Sequence, residues 1–340
     1  MNIRYSRQIP IIEPEGQNKL ENASVLVIGA GGVGSPLLMY LAGAGIGKLG
    51  IIDFDTVDLS NLHRQILFSE NDLGVNKANQ GKKRLQQFNS EIKINTYTEK
   101  LSIDNAKDIF KKYSLIIDGS DNFQTKYLAN DICCQLDLPL ISASIYQSQI
   151  QIVVINPSQG CYRCLFPAPP PPNLVQNCSI SGVIGANAGI AGSMTASMAI
   201  QMIAHKTSEF NNIIMKINCD KYSINKLKFV KEPNCCACTK KTLSWPAISC
   251  NIELEDVDIN NCLLIDLREA SEDRSQRTAL NYQHLPFSEF IKNPNQLPKV
   301  KLILFCSRGN RSEYAAHLLR NEGYDASSVL FDHKIKLEEK

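Results

Sequence analysis

ASVLVIGAGGVGSPLLMYLAGAGIGKLGIIDFD, residues 23–55, carries a compact alternation of strand and helix signals. Val25–Ile28 is a short apolar, β-branched run suited to a buried parallel strand. Ser35–Ala44 reads as a helix and Leu49–Asp53 as a second strand. Between the first strand and the helix, Gly29-Ala30-Gly31-Gly32-Val33-Gly34 fits G-x-G-x-x-G. Glycines there let the backbone turn tightly and approach phosphates, while the helix N-terminus favours negative charge. Gly29, Gly31, Gly32 and Gly34 are therefore nucleotide-binding candidates. Asp53 ends the next strand, about 20 residues further on, where an acid can bind ribose hydroxyls.

Outward from this stretch the alternation continues. Helices are expected over Lys77–Phe88, Ile103–Tyr113 and Phe123–Leu136, and strands over Ile92–Thr98, Ser114–Asp118 and Pro139–Ser144. This predicts a doubly wound, Rossmann-like α/β sheet. PAPPPP, within the segment from Cys161 to Cys178, excludes regular helix and central strand and reads as a long loop. Val183–Ile203 carries no charge and is long enough to span a bilayer, but its Gly, Ala and Ser content suits a buried helix packed closely on its neighbours. A fresh strand at Cys262–Leu267 follows a polar region. The expected organisation is an α/β domain over residues 1–245 and a small α/β module over residues 255–340.

Composition narrows the function classes. The 340 residues are 44% hydrophobic and 21% charged, with a formal net charge of +2. That mix suits a globular protein and lacks the basic excess of a nucleic-acid binder. The N-terminal MNIRYSRQIP has no apolar core of a secretory signal, so a cytoplasmic location without a membrane span is expected. Twelve cysteines then point to metal binding or thiol chemistry rather than disulfides. Cys161-x-x-Cys164 and Cys235-x-x-Cys238 offer four thiolates for tetrahedral Zn²⁺, the spacing selecting Cys235 over Cys236. A redox dithiol is the alternative reading.

The glycine loop alone would also suit an NAD-dependent oxidoreductase. The cations Arg7, Arg64 and Lys77 and the acid Asp121 argue instead for a triphosphate undergoing substitution with a bound divalent metal. RYSRQI, GAGGVGS, DFDTVDLSNLHRQ, LGVNKA, DGSDNFQTKY and NCSISGV together resemble the MoeB/ThiF family, bacterial relatives of ubiquitin-activating enzymes, over roughly residues 1–240. The resemblance implies an adenylyltransferase in which the C-terminal Gly-Gly carboxylate of a ubiquitin-like sulfur-carrier protein attacks the α-phosphate of MgATP. It gives Asp53 to the ribose, Asn61 and Arg64 to the phosphates, Lys77 to the triphosphate and Asp121 to Mg²⁺. It makes Arg7 an arginine finger supplied across a homodimer, the four paired cysteines a structural zinc site, and Cys178 a thiol able to form an acyl or persulfide link. A non-catalytic scaffold retaining the fold remains a third reading.

Near the C-terminus an apolar strand, Leu302–Phe305, runs into Cys306-Ser307-Arg308-Gly309-Asn310-Arg311-Ser312 and then a helix from Glu313 to Asn321. A thiol at such a turn, beside a helix N-terminus and the arginines Arg308 and Arg311, suits an anionic sulfur. With Leu264-Ile265-Asp266-Leu267-Arg268-Glu269 upstream, the segment resembles a rhodanese domain. That resemblance implies that Cys306 takes a persulfide from a sulfur donor such as a cysteine desulfurase. Four residues separate Cys306 from Arg311, against the five of a cysteine phosphatase. QRTALNYQHLP stands where rhodaneses carry a Gly-His-Ile-Pro turn, and VLFDHKIKLEEK lacks their glycine-rich aromatic tail, so the module reads as shortened.

Overall fold

The computed structural model describes residues 3–171, 182–205, 210–247, 249–253, 257–258, 261–270, 272, 282–307 and 309–330. They form two compact units, the first ending at Ala247. In chain order the first unit carries α1 (Ile9–Asn22), β1 (Ser24–Ile28), α2 (Gly34–Ala44), β2 (Lys48–Ile52), α3 (Lys77–Phe88), β3 (Lys93–Tyr97), α4 (Ile103–Phe110), β4 (Leu115–Asp118), α5 (Phe123–Leu136), β5 (Leu140–Tyr146), β6 (Gln149–Ile155), α6 (Tyr162–Leu165), α7 (Gly185–His205), β7 (Ile213–Asn218) and β8 (Ser223–Lys228). The strands make one sheet in the order β3-β2-β1-β4-β5-β6-β7-β8. It is parallel from β3 to β5 and antiparallel from β5 to β8.

The period of a strand explains the layering. On β1, Val25 and Val27 face one core with α1, α2, α3 and α7, whereas Leu26 and Ile28 face another with α4 and α5. With both faces covered, the parallel strands are almost continuously apolar. The uncharged segment forms α7, whose Ala188, Ala191, Gly192, Ala196 and Ala199 are buried. None of the described helices is long and apolar enough to cross a membrane.

The second unit carries β9 (Leu263–Asp266), β10 (Gln283–His284), α8 (Phe287–Phe290), β11 (Leu302–Cys306), α9 (Asn310–Asn321) and β12 (Ala326–Leu330). Its sheet is parallel, in the order β10-β9-β11-β12. Leu264, Ile303, Phe305 and Val329 share its core.

Three expectations need correction. The region after Cys161 is not wholly loop, because Tyr162–Leu165 winds one helical turn between the paired cysteines. The last helix starts at Asn310 rather than Glu313, since Gly309 adopts φ +79° and caps it there. The helix after Ile103 stops at Phe110, and Tyr113 instead sits buried beside Gly50 of β2.

Candidate active site and cysteine cluster

The sheet reverses its winding between β1 and β4, and such a switch point opens a crevice at the strands' C-terminal ends. Ile28 and Asp118 are partners there, so the glycine loop and the Asp118–Asn122 loop leave the sheet side by side. Gly29 turns the chain at φ +87°, and a Cβ on Gly34 would lie 1.9 Å from the Gly29 carbonyl oxygen. No larger side chain fits the loop at that point. A Cβ on Gly31 would meet only Gln65 Nε2, at 3.8 Å, so this backbone borders open space. Gln65 Oε1 is buried with no hydrogen-bond partner among the described residues.

Asp53 steadies the loop from the end of β2. Its carboxylate accepts the Ala30 N–H at 2.8 Å and the Asp55 N–H at 2.9 Å. Burial pushes its pKa up, while those N–H bonds and nearby Lys77 pull it down. Lys77 opens α3 and is buried, its Nζ 3.1 Å from Asp55 and 3.4 Å from Asn61 Oδ1. Asn61 Oδ1 also accepts from Gln65 Nε2 at 2.7 Å. Arg64 bonds the Ser60 carbonyl oxygen at 3.2 Å, and its stem covers Gly32. Asp121 is exposed in the loop before α5. Gly29–Gly34, Asp53, Asn61, Arg64 and Lys77 thus form one cluster, with Asp121 on the neighbouring loop. The open backbone at Gly31, the helix N-terminus and two cations suit a phosphate chain.

Arg7 stands apart. Tyr5 and Gln8 on either side of it are tied to the far end of α2: Asn89, just past α3, donates from Nδ2 to both the Tyr5 hydroxyl at 3.0 Å and the Ala42 carbonyl oxygen at 2.8 Å, and Gln8 Nε2 donates to the Ala44 carbonyl oxygen at 2.9 Å. At about 1.5 Å per residue, α2 separates that end from its own glycine loop by ~15 Å. Cys178 lies outside the described residues.

The four paired cysteines converge, their sulfurs all within 4.8 Å of one another. Cys161 and Cys235 are 3.5 Å apart, Cys164 and Cys238 3.5 Å, and Cys161 and Cys164 3.9 Å. Tetrahedral zinc with ~2.3 Å bonds needs sulfurs about 3.8 Å apart, so this donor set fits the ion. Cys236 turns away to Ser244 Oγ at 3.5 Å. Arg163 braces the knuckle through a buried two-bond pair with Asp131, both bonds 2.8 Å. Sequence reasoning missed a fifth thiol. Cys134, buried on α5, acts on Cys161 and, with the Cys164 N–H and the other thiols, pulls its pKa well below the usual thiol value against its burial. Nothing in the spacing of Cys134 signals that influence.

In the second unit Cys306 ends β11, buried, with its sulfur 3.6 Å from Ser312 Oγ. Arg311 faces both this thiol and Glu272. Its guanidinium forms a two-bond pair with Glu272, one bond 2.9 Å. That pair, with Ser307, holds the Glu272 carboxyl down at about 2 against partial burial. Arg308 lies outside the described residues. Glu272 was not anticipated; without the fold it is one acid in a polar run.

Comparison with known proteins agrees with this geometry. The ThiF family model matches residues 5–238, a span holding the glycine loop and all four clustered cysteines. A Culex quinquefasciatus protein named adenylyltransferase and sulfurtransferase MOCS3 is 35% identical, over 93% of this chain and 81% of its own length. The sulfur carrier protein adenylyltransferase of Thermus thermophilus is 40% identical over 69% of this chain and 90% of its own. The solved structure of E. coli MccB with ATP superposes with a TM-score of 0.61 at 26% identity, covering 70% of this chain and 75% of that one.

Proposed function

The chain belongs to the ThiF family, and from that premise we propose that it adenylates the C-terminal Gly-Gly carboxylate of a ubiquitin-like sulfur carrier and then delivers sulfur to it. The observation that carries this reading is the topological switch point, where the glycine loop, Asp53, Asn61, Arg64 and Lys77 cluster beside the loop that bears Asp121.

The chemistry asks little of the protein beyond placement. A carboxylate is already ionised at neutral pH, so no general base is required. The glycine loop and α2 N-terminus would receive the phosphates of ATP, and Asp53 the ribose. Asn61, Arg64 and Lys77 would spread the charge developing on the α-phosphate and the leaving pyrophosphate. Bound Mg²⁺ would neutralise phosphate oxygens, with Asp121 as its protein ligand. Arg7 would reach a partner's site in a homodimer, because its anchorage holds it away from its own loop. Exposed Leu59, Ile66 and Ile184 near the crevice are suited to that second copy.

Sulfur transfer would use Cys306. The outer sulfur of a Cys306 persulfide, loaded by a donor such as a cysteine desulfurase, attacks the acyl-adenylate carbonyl and displaces AMP. A second thiol then attacks the Cys306 sulfur of the acyl disulfide, so that a disulfide to Cys306 forms as the thiocarboxylate leaves; Cys178, which the family resemblance makes able to form an acyl or persulfide link to the carrier, is the candidate thiol.

Pyrophosphate–ATP exchange tests the first half. Exchange is expected only with Mg²⁺ and a carrier ending in Gly-Gly. Reduction of a nicotinamide by the protein, with no exchange for any such carrier, would overturn the reading. The cysteine cluster is read as a structural Zn²⁺ site, and elemental analysis should find about one zinc per chain. Chelation should lower the melting temperature of the first unit, since four thiolates tie Cys161–Cys164 to Cys235–Cys238. Protein purified anaerobically without zinc, yet equally stable, would contradict the assignment.

A further inference from the structure

Directly under the Asp121 loop lies an ion pair that none of the roles above uses. Asp118, at the end of β4, is fully buried, and Lys126, one turn into α5, is almost so. Asp118 Oδ2 accepts from Lys126 Nζ at 2.9 Å and from Ser142 Oγ of β5 at 2.8 Å. Lys126 Nζ also reaches the Ala143 carbonyl oxygen at 3.3 Å. The other carboxylate oxygen, Oδ1, points up into the loop and accepts both the Ser120 N–H, at 3.0 Å, and the Ser120 hydroxyl. Gly119 N–H donates to the Ile28 carbonyl oxygen at 2.9 Å, tying the same loop to the base of the glycine loop.

Burying a lysine and an aspartate together costs several kcal/mol of desolvation, and an apolar pair of similar volume is often at least as stable. Stability alone is thus a weak reason for the pair. Its geometry offers a stronger one. Lys126 supplies the counter-charge and one hydrogen bond to Asp118 Oδ2, beside that of Ser142, which leaves Oδ1 to accept from both Ser120 groups. Those bonds fix the turn whose next residue is Asp121.

We propose that Lys126, acting through Asp118 and Ser120, is a positioning residue that holds the Asp121 carboxylate in place for the divalent metal of the bound nucleotide. This rests on the reading of Asp121 as metal ligand. Partners that orient a metal ligand are typically worth 10–100-fold in metal affinity. Without the pair, the turn that carries Asp121 loses its buried anchor.

The test is calorimetric binding of ATP to the full chain, with EDTA and then across a Mg²⁺ titration. Lys126→Met should leave ATP affinity in EDTA unchanged and raise the Mg²⁺ concentration for half-maximal enhancement about tenfold. Ser120→Ala removes the hydroxyl without stranding a buried charge and should shift it about threefold in the same direction. A purely structural role would weaken ATP binding with and without metal alike, which would overturn the proposal. If Lys126→Met does not fold, Ser120→Ala decides, and a wild-type Mg²⁺ curve for it overturns the proposal. Asp121→Ala separates the two levels. Should it keep the full Mg²⁺ enhancement, the metal-ligand reading falls and this inference with it. Should it lose the enhancement while Lys126→Met and Ser120→Ala retain it, the inference alone falls.

Discussion

Asp121→Ala is expected to lose at least ~10²–10³ of the carrier-dependent pyrophosphate exchange, about 3–4 kcal/mol of transition-state stabilisation. Negative charge accumulates on the α-phosphate and the pyrophosphate as the carboxylate attacks, and the metal that Asp121 would hold counters it. The loop that carries Asp121 is held at both ends. Asn122 caps α5 by accepting the Thr125 N–H at 2.8 Å, and Asp118 anchors the other end. Because Asp121 is exposed, the substitution should change stability by no more than ~0.5 kcal/mol. Lost exchange with an unchanged melting temperature would therefore separate catalysis from folding. Near-normal exchange at saturating Mg²⁺ would remove Asp121 from the metal site. Lys77→Ala and Arg64→Ala should each slow exchange strongly, with Lys77→Ala also freeing Asp55.

Cys306→Ser should abolish formation of the carrier thiocarboxylate while leaving pyrophosphate exchange at the wild-type rate. Serine keeps the size and the Ser312 contact but cannot carry a persulfide. Glu272, held down at about 2, stays ionised at physiological pH and keeps Arg311 beside the thiol. Incubation with thiosulfate or a desulfurase should add about 32 Da, one sulfur atom, to Cys306 in the wild type. No adduct on Cys306, together with wild-type thiocarboxylate production by Cys306→Ser, would confine the activity to adenylation.

Much of the first unit could be read without coordinates because its signals are local. α3 and α5 span the residues expected of them, and Asn76 and Asn122 cap their N-termini with side-chain bonds of 3.1 and 2.8 Å. The glycine loop and the two C-x-x-C pairs announce themselves by spacing. What stayed hidden depends on distant partners. α1 contains Pro10, Pro14 and a kink at Glu13 (φ 62°), and nothing in its composition marks it as a helix packed on α7. β8, Ser223–Lys228, is exposed along its whole length and alternates too weakly to read as a strand. It exists because β7 offers it a hydrogen-bonding edge. Lys126 and Glu272 belong to the same class, since a charge in a polar segment looks solvated until the fold supplies its partner. Asp121 was legible as a type of residue, but its support by Asp118 and Lys126 was not.

The closeness of α7 to the glycine loop limits which sequences this scaffold can accept. A Cβ on Gly192 would lie 2.3 Å from the Val33 carbonyl oxygen, and one on Gly185 2.1 Å from that of His63. Ala188 already meets the space beside Gly32 at 3.3 Å. A single methyl group added to the helix at Gly192 or Gly185 would push on the backbone of the glycine loop or of the segment bearing His63 and Arg64, from a residue given no part in the chemistry. In a saturation library, α7 should thus appear among the least tolerant segments of the chain, despite its plain composition. An attempt to retune the crevice for another carboxylate should draw its variation from exposed residues such as Leu59 and Ile66 and leave the back wall untouched.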